Sequence, residues 1–141
     1  MKASLVIIAS VASLLAMPAH ARVGDTVKQV EARYGTPQKV FINRSDLRKV
    51  GYGYRGLMII VYFSGSISKR ESFARPDLPK LPRETVNGLL ALSARKGTSW
   101  EPILVEHGDY YWISSNKNTI AQFGAVRNVF LVQDRNFKST E

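Results

Sequence analysis

Apolar and polar positions alternate along this chain in two rhythms, and their order predicts most of its elements. Thr26-Val27-Lys28-Gln29 has the S/T-x-x-E/Q form of a capping box, in which the two side chains satisfy backbone N–H groups reciprocally. Val27, Val30 and Tyr34 share one helical stripe, with Lys28, Glu31 and Arg33 off it. Gly35 suits a left-handed C-terminal position and Thr36-Pro37 blocks continuation, so a short helix is predicted. Lys39 to Ile42 reads as a short strand and Asn43 to Asp46 as a turn, while Leu47 to Val50 is ambiguous. Gly51-Tyr52-Gly53-Tyr54 alternates strictly, which puts both tyrosines on one sheet face and both glycines on the other. The apolar run Leu57 to Phe63 follows, Ser64-Gly65-Ser66 turns the chain, and Ile67 to Phe73 returns as an amphipathic strand. An antiparallel meander of three or four strands is the expected result.

Pro76, Pro79 and Pro82 punctuate a linker that cannot be helical throughout. Pro82 suits the first turn of a second helix reaching roughly to Arg95, with Val86, Leu89, Leu90 and Ser93 as its stripe and Lys96-Gly97 closing it. Gly88 within that helix implies close packing against it. Ile103–Glu106, Tyr110–Ser114, Thr119–Phe123 and Val126–Gln133 read as strands. The order predicts an α+β fold, with short helices packed on an antiparallel β-sheet. Asp25-Thr26-Val27 with Gly35-Thr36, and Glu84-Thr85-Val86 with Gly97-Thr98, point to a duplicated α-βββ unit, its halves at 22–75 and 76–134, before a polar tail at 135–141 expected to fray.

The first segment changes how the composition is read. Lys2, the uncharged apolar run Ala3 to Met17, Pro18 and then Ala19-His20-Ala21 form the pattern of a secretory signal peptide at 1–21, with cleavage expected after Ala21. The expected address is therefore the periplasm or the exterior. The whole chain has 141 residues, 45% of them hydrophobic, and a formal charge of +9. Without residues 1–21 it keeps every aromatic residue and loses one positive charge, becoming less apolar and proportionately more basic. No later stretch is long and apolar enough to predict a transmembrane helix. The absence of cysteine excludes disulfide scaffolds, thiolate zinc sites and cysteine nucleophiles.

Candidate chemistry is sparse. His107, beside Gly108-Asp109, reads as a turn residue, and no nucleophile-elbow pattern accompanies it. The acids are scattered; Glu101, Glu106 and Asp109 are the nearest to a group, and read as a solvated loop. No metal, cofactor or catalytic residue is predicted. Tyr52 and Tyr54 have two readings: rings packed on a helix with a neighbour close to the glycines, or an open recognition surface assisted by Arg55. The unalternating strand Leu57–Phe63 requires cover on both faces, from the second helix within the monomer or from a partner. Arg44, Arg48, Lys49 and Arg55 form one basic cluster; Lys69, Arg70 and Arg75 form another, expected near the opposite end of the meander.

Gly24-Asp25-Thr26-x-x-x-Val30-x-x-x-Tyr34-Gly35-Thr36-Pro37, followed by Tyr54-Arg55-Gly56 and a strand ending Phe63-Ser64-Gly65, resembles the opening of small exported domains of the SmpA/OmlA (BamE) type. The repeats of β-lactamase inhibitor protein are similar in plan. The resemblance covers about Val23 to Phe73 and implies one or two short helices on an antiparallel sheet, in domains that act by binding other proteins. This chain departs from the pattern in lacking a lipid-anchor cysteine and in having one helix before the first strand.

The expected function is an exported, non-enzymatic binding module of the cell envelope. It would recognise a partner protein through Tyr52, Tyr54, Arg55, Arg44, Arg48 and Lys49. The alternatives are a polyanion binder for anionic envelope surfaces (lipopolysaccharide phosphate or lipid headgroups) and a glycan or wall hydrolase of unrecognised type. A basic, tyrosine-rich sheet also suits nucleic acid, which an export signal disfavours as a partner.

Overall fold

The chain is seen here as a computed structural model that describes residues 22–124 and 128–138. The signal pattern at 1–21 and the predicted start of the last strand at Val126 lie outside the described residues.

Thr26 caps helix α1 (Val27–Tyr34) as its sequence requires: the Gln29 N–H donates to the Thr26 hydroxyl at 3.3 Å and the Thr26 N–H to Gln29 Oε1 at 2.8 Å. Gly35 ends the helix at φ 86°, its N–H donating to the Glu31 carbonyl at 2.8 Å. Four strands follow: β1 (Lys39–Asn43), β2 (Arg48–Tyr54), β3 (Leu57–Ser64) and β4 (Ile67–Ala74). The ambiguous stretch before Gly51 is thus mostly strand. After the proline linker come α2 (Arg83–Ser93), β5 (Trp100–Glu106), β6 (Asp109–Ser114), β7 (Thr119–Gly124) and β8 (Val129–Asp134). Hairpins β2–β3 and β5–β6 turn on Arg55-Gly56 and His107-Gly108, each with φ positive at both residues. That geometry matches the strand twist and favours glycine at the second position.

All eight strands form one antiparallel sheet in the order β1-β2-β3-β4-β8-β7-β6-β5. The order is palindromic: each half is a helix followed by a four-stranded meander, and the halves join through their last strands, β4 and β8. The duplicated unit expected from the sequence therefore carries four strands per copy. Both helices pack on the same sheet face, where Val30 and Tyr34 of α1, and Val86 and Leu89 of α2, join Val50, Tyr52, Ile59, Val61, Phe63, Phe73, Phe130 and Val132 in one core. Burying a large side chain of this kind contributes roughly 1.5–3 kcal/mol.

Three expectations are corrected. The second helix does not cover the other face of β3; both helices share one face, and on the opposite face Met58 is 43% exposed. Gly88 is not at a close approach, since it is exposed and no described residue lies within 4 Å of where a Cβ would sit. The tail does not fray as far as Lys138. The Arg135 N–H donates to the Asn118 carbonyl at 2.9 Å, and the Phe137 ring packs 6.2 Å from that of Tyr62.

One core residue went unread in the sequence. Glu71 lies in register with Phe73 on the helix-covered face and is fully buried. It accepts from the Tyr34 hydroxyl at 2.7 Å and faces Arg33 at 3.5 Å, while Arg33 also bonds Asp25. Burial raises the Glu71 pKa above the ordinary carboxylate value, against the lowering effects of Tyr34 and Arg33. Burial, followed by the Glu71 charge, also raises that of Tyr34.

Candidate functional site

The six residues expected to form one surface are distributed over two faces and two ends of the sheet. Tyr52 is 1% exposed, its ring 5.9 Å from that of Tyr34, so it belongs to the core and not to a contact surface. Burial, then the nearby Glu31 charge, pushes its phenol up to about 12. Tyr54 is half-buried on the same face, 5.8 Å from Tyr34. Gly51 and Gly53 face the other way and admit close neighbours. A Cβ at Gly51 would meet Phe41 Cε2 at 3.0 Å, and one at Gly53 would strike the Gln38 amide. Arg48 shares the helix-covered face, its buried Nε without a hydrogen-bond partner. Arg55 is exposed at the β2–β3 turn, its guanidinium 5.1 Å from the Tyr54 ring. Arg44 is exposed at the opposite end and pairs with Asp46 at 3.3 Å.

Lys49 alone of the six reaches the helix-free face, and there the two basic clusters meet. The register aligns Lys49 with Tyr62, Tyr62 with Arg70, and Arg70 with Gln133 across four adjacent strands. Lys49 Nζ lies 5.1 Å from the Tyr62 ring centre, and the Arg70 guanidinium 5.1 Å from it and 5.3 Å from that of Phe137. Lys39 and Lys49 lie 4.9 and 5.7 Å from the Phe41 ring. Three cations thus cap three aromatic rings, each contact contributing about 0.5–1 kcal/mol at an exposed site. Tyr62 is only 6% exposed under this cover. The separation expected for Lys49 and Arg70 came from counting along the chain; the β3–β4 hairpin folds them into one row. Lys69 and Arg75 are paired with Asp134 at 3.0 Å and Asp77 at 2.6 Å. Among the described residues, Lys39, Arg55 and Arg70 have no carboxylate partner.

A second feature lies on the helix-covered face of the C-terminal half. The rings of Tyr110 and Trp112 are nearly parallel, 6.1 Å apart and 17° between planes, and Tyr110 repeats this with Phe123 at 6.5 Å and 22°. These three rings, with Leu81 and Val86, line a groove of about 170 Å³. Lys80, Arg83 and Asn87 complete its lining and are exposed.

Of the residues weighed for catalysis, Glu106, His107 and Asp109 meet at the β5–β6 turn, and Glu101 does not join them. His107 is at the β5–β6 turn with its side chain 91% exposed, 3.9 Å from Glu106. Glu101 pairs with Lys117 at 2.6 Å, at the end of β5 away from Glu106 and Asp109, which flank that turn. Among the described residues, no group of three or more His, Cys, Asp or Glu side chains is gathered as a metal site requires, and no helix is long and apolar enough to cross a membrane.

Fold and surface together define a small α+β domain carrying surface aromatic and charged residues. No family model matches the chain, and no curated protein matches it. Among solved structures it is similar to a cysteine-rich secretory protein from Staphylococcus aureus, at 10% identity and a TM-score of 0.46. The similarity covers 80% of this chain and 44% of that one, so this chain spans less than half the length of that structure. Likeness at this level carries no weight for function.

Proposed function

We propose that this chain is an exported, non-enzymatic binding module of the cell envelope, which recognises an acidic partner protein through the helix-free face of its sheet. The row Lys49–Tyr62–Arg70, extended by Lys39, Phe41 and Phe137, carries this reading. The exposed Phe41 ring offers contact area, the cations packed over Phe41, Tyr62 and Phe137 are held in place by those rings, and their charge selects an acidic surface. The N-terminal pattern Lys2 to Ala21 supports export to the periplasm or beyond, and the resemblance to BamE-type domains supports binding as the mode of action. The separation of Glu101 from Glu106 and Asp109 and the exposed turn position of His107 support a role without catalysis.

Because Lys39, Arg55 and Arg70 lack carboxylate partners among the described residues, a polyanion of the envelope is the second reading. One experiment separates the two. The mature protein and its Lys49→Glu/Arg70→Glu variant are used to capture partners from envelope extract at low and high salt. A protein captured by the wild type, retained at high salt and lost at least tenfold in the variant supports the first reading. Capture of lipopolysaccharide or anionic lipid, falling steeply with salt, replaces it with the second. Equal capture by wild type and variant sinks both.

A further inference from the structure

The groove under the N-terminal turns of α2 is built differently from its counterpart in the first half. There, Tyr34 of α1 covers the two β2 tyrosines, with ring centres 5.9 and 5.8 Å away. In the second half, α2 brings Val86 and Asn87 to the groove but no aromatic ring, and the row Trp112–Tyr110–Phe123 is left with an open slot above it. Trp112 and Tyr110 are only half-buried. Aromatic rows of this kind gain from an offset-stacked or edge-on ring.

Size and charge narrow the occupant. A cavity of roughly 150 Å³ is enough for a benzene ring, and this groove measures about 170 Å³. Among the described residues, its lining contains two cations, Lys80 and Arg83, and no carboxylate. Neither cation has a hydrogen bond, ion pair or ring contact among the described residues. Glu84, the acid in the first turn of α2, is not part of the lining. We propose that the groove is a binding site for a small ring-bearing carboxylic acid. Its ring packs along Trp112, Tyr110 and Phe123, and its carboxylate is held between Lys80 and Arg83. Asn87 supplies an amide that can donate to the same group. This site is on the opposite face from the Lys49–Tyr62–Arg70 row and does not depend on the reading proposed for that row.

The test uses 3-phenylpropionate and its uncharged counterpart 3-phenylpropanamide, titrated into the 22–141 chain and followed by amide and indole NMR shifts. The proposal expects saturable shifts confined to the Trp112 indole, Tyr110, Phe123 and the first turns of α2. It also expects at least tenfold weaker binding of the amide. Lys80→Glu/Arg83→Glu, both exposed positions, should weaken the acid at least tenfold with an unchanged circular dichroism spectrum. No saturable shift at these residues, or equal binding of acid and amide, overturns it. So does undiminished binding to the folded double variant.

Discussion

Glu71 brings a carboxylate into the centre of an apolar core, where it is held by the Tyr34 hydroxyl and faced by Arg33. Its folded pKa is raised, with burial the leading cause, so folding favours the protonated form. Stability from this group is therefore fully present below the ordinary carboxylate pKa and is lost as pH rises through the folded value. The loss is at most about 1.4 kcal/mol per pH unit. Asp134 works in the opposite sense and in another window. Burial pushes its pKa up, but the Asn136 N–H and the Lys69 ammonium outweigh this, so its contribution is lost only as pH falls below the ordinary carboxylate value. Glu71→Gln keeps an acceptor for Tyr34 and removes the ionisation. Urea unfolding from pH 4 to 8 should show wild-type stability declining with pH and the variant flat over the same range. A variant with the wild-type slope would contradict the account. In the sequence, Lys69-Arg70-Glu71 looks like the polar side of an amphipathic strand; only the two-residue spacing of Glu71 from Phe73 marks it as inward.

At the scale of elements, what could be read in advance was local. The capping box at Thr26 and the stop at Gly35 depend on a few adjacent residues, and the chain folds there as its sequence dictates. Gly88 was misread because a helical glycine has two causes that sequence alone does not separate: a close neighbour, or no constraint. The exposed site and the open space at its Cβ position identify the second. Gly88→Ala should therefore stabilise the protein by about 1 kcal/mol, the helix-propensity difference. Chemical denaturation reads this directly, and a destabilised variant would mean that α2 packs differently. The tail was misjudged for a similar reason. Polar composition predicts fraying, yet the single ring of Phe137 finds Tyr62 across the sheet and is held there.

For the whole molecule, the decisive fact is that two meanders join through β4 and β8 while both helices lie on one side. Duplication was legible as weak matches around two helix starts; which face each helix takes was not, because it depends on how the halves meet. The same limit applied to the surface. Tyr52 and Tyr54, which the alternating pattern offers as a surface, face the helices. Tyr62, within an apolar run that reads as core, anchors the helix-free row. If this face meets the partner, crosslinks to that partner form from the helix-free side. A photoreactive amino acid at Met58 or Ser72, both on the helix-free face, compared with one at Lys28 or Ala91 on the exposed sides of the helices, tests it most directly in envelope extract. One protein adduct is expected from Met58 and Ser72 and none from Lys28 or Ala91. Adducts from the helix positions alone would contradict it.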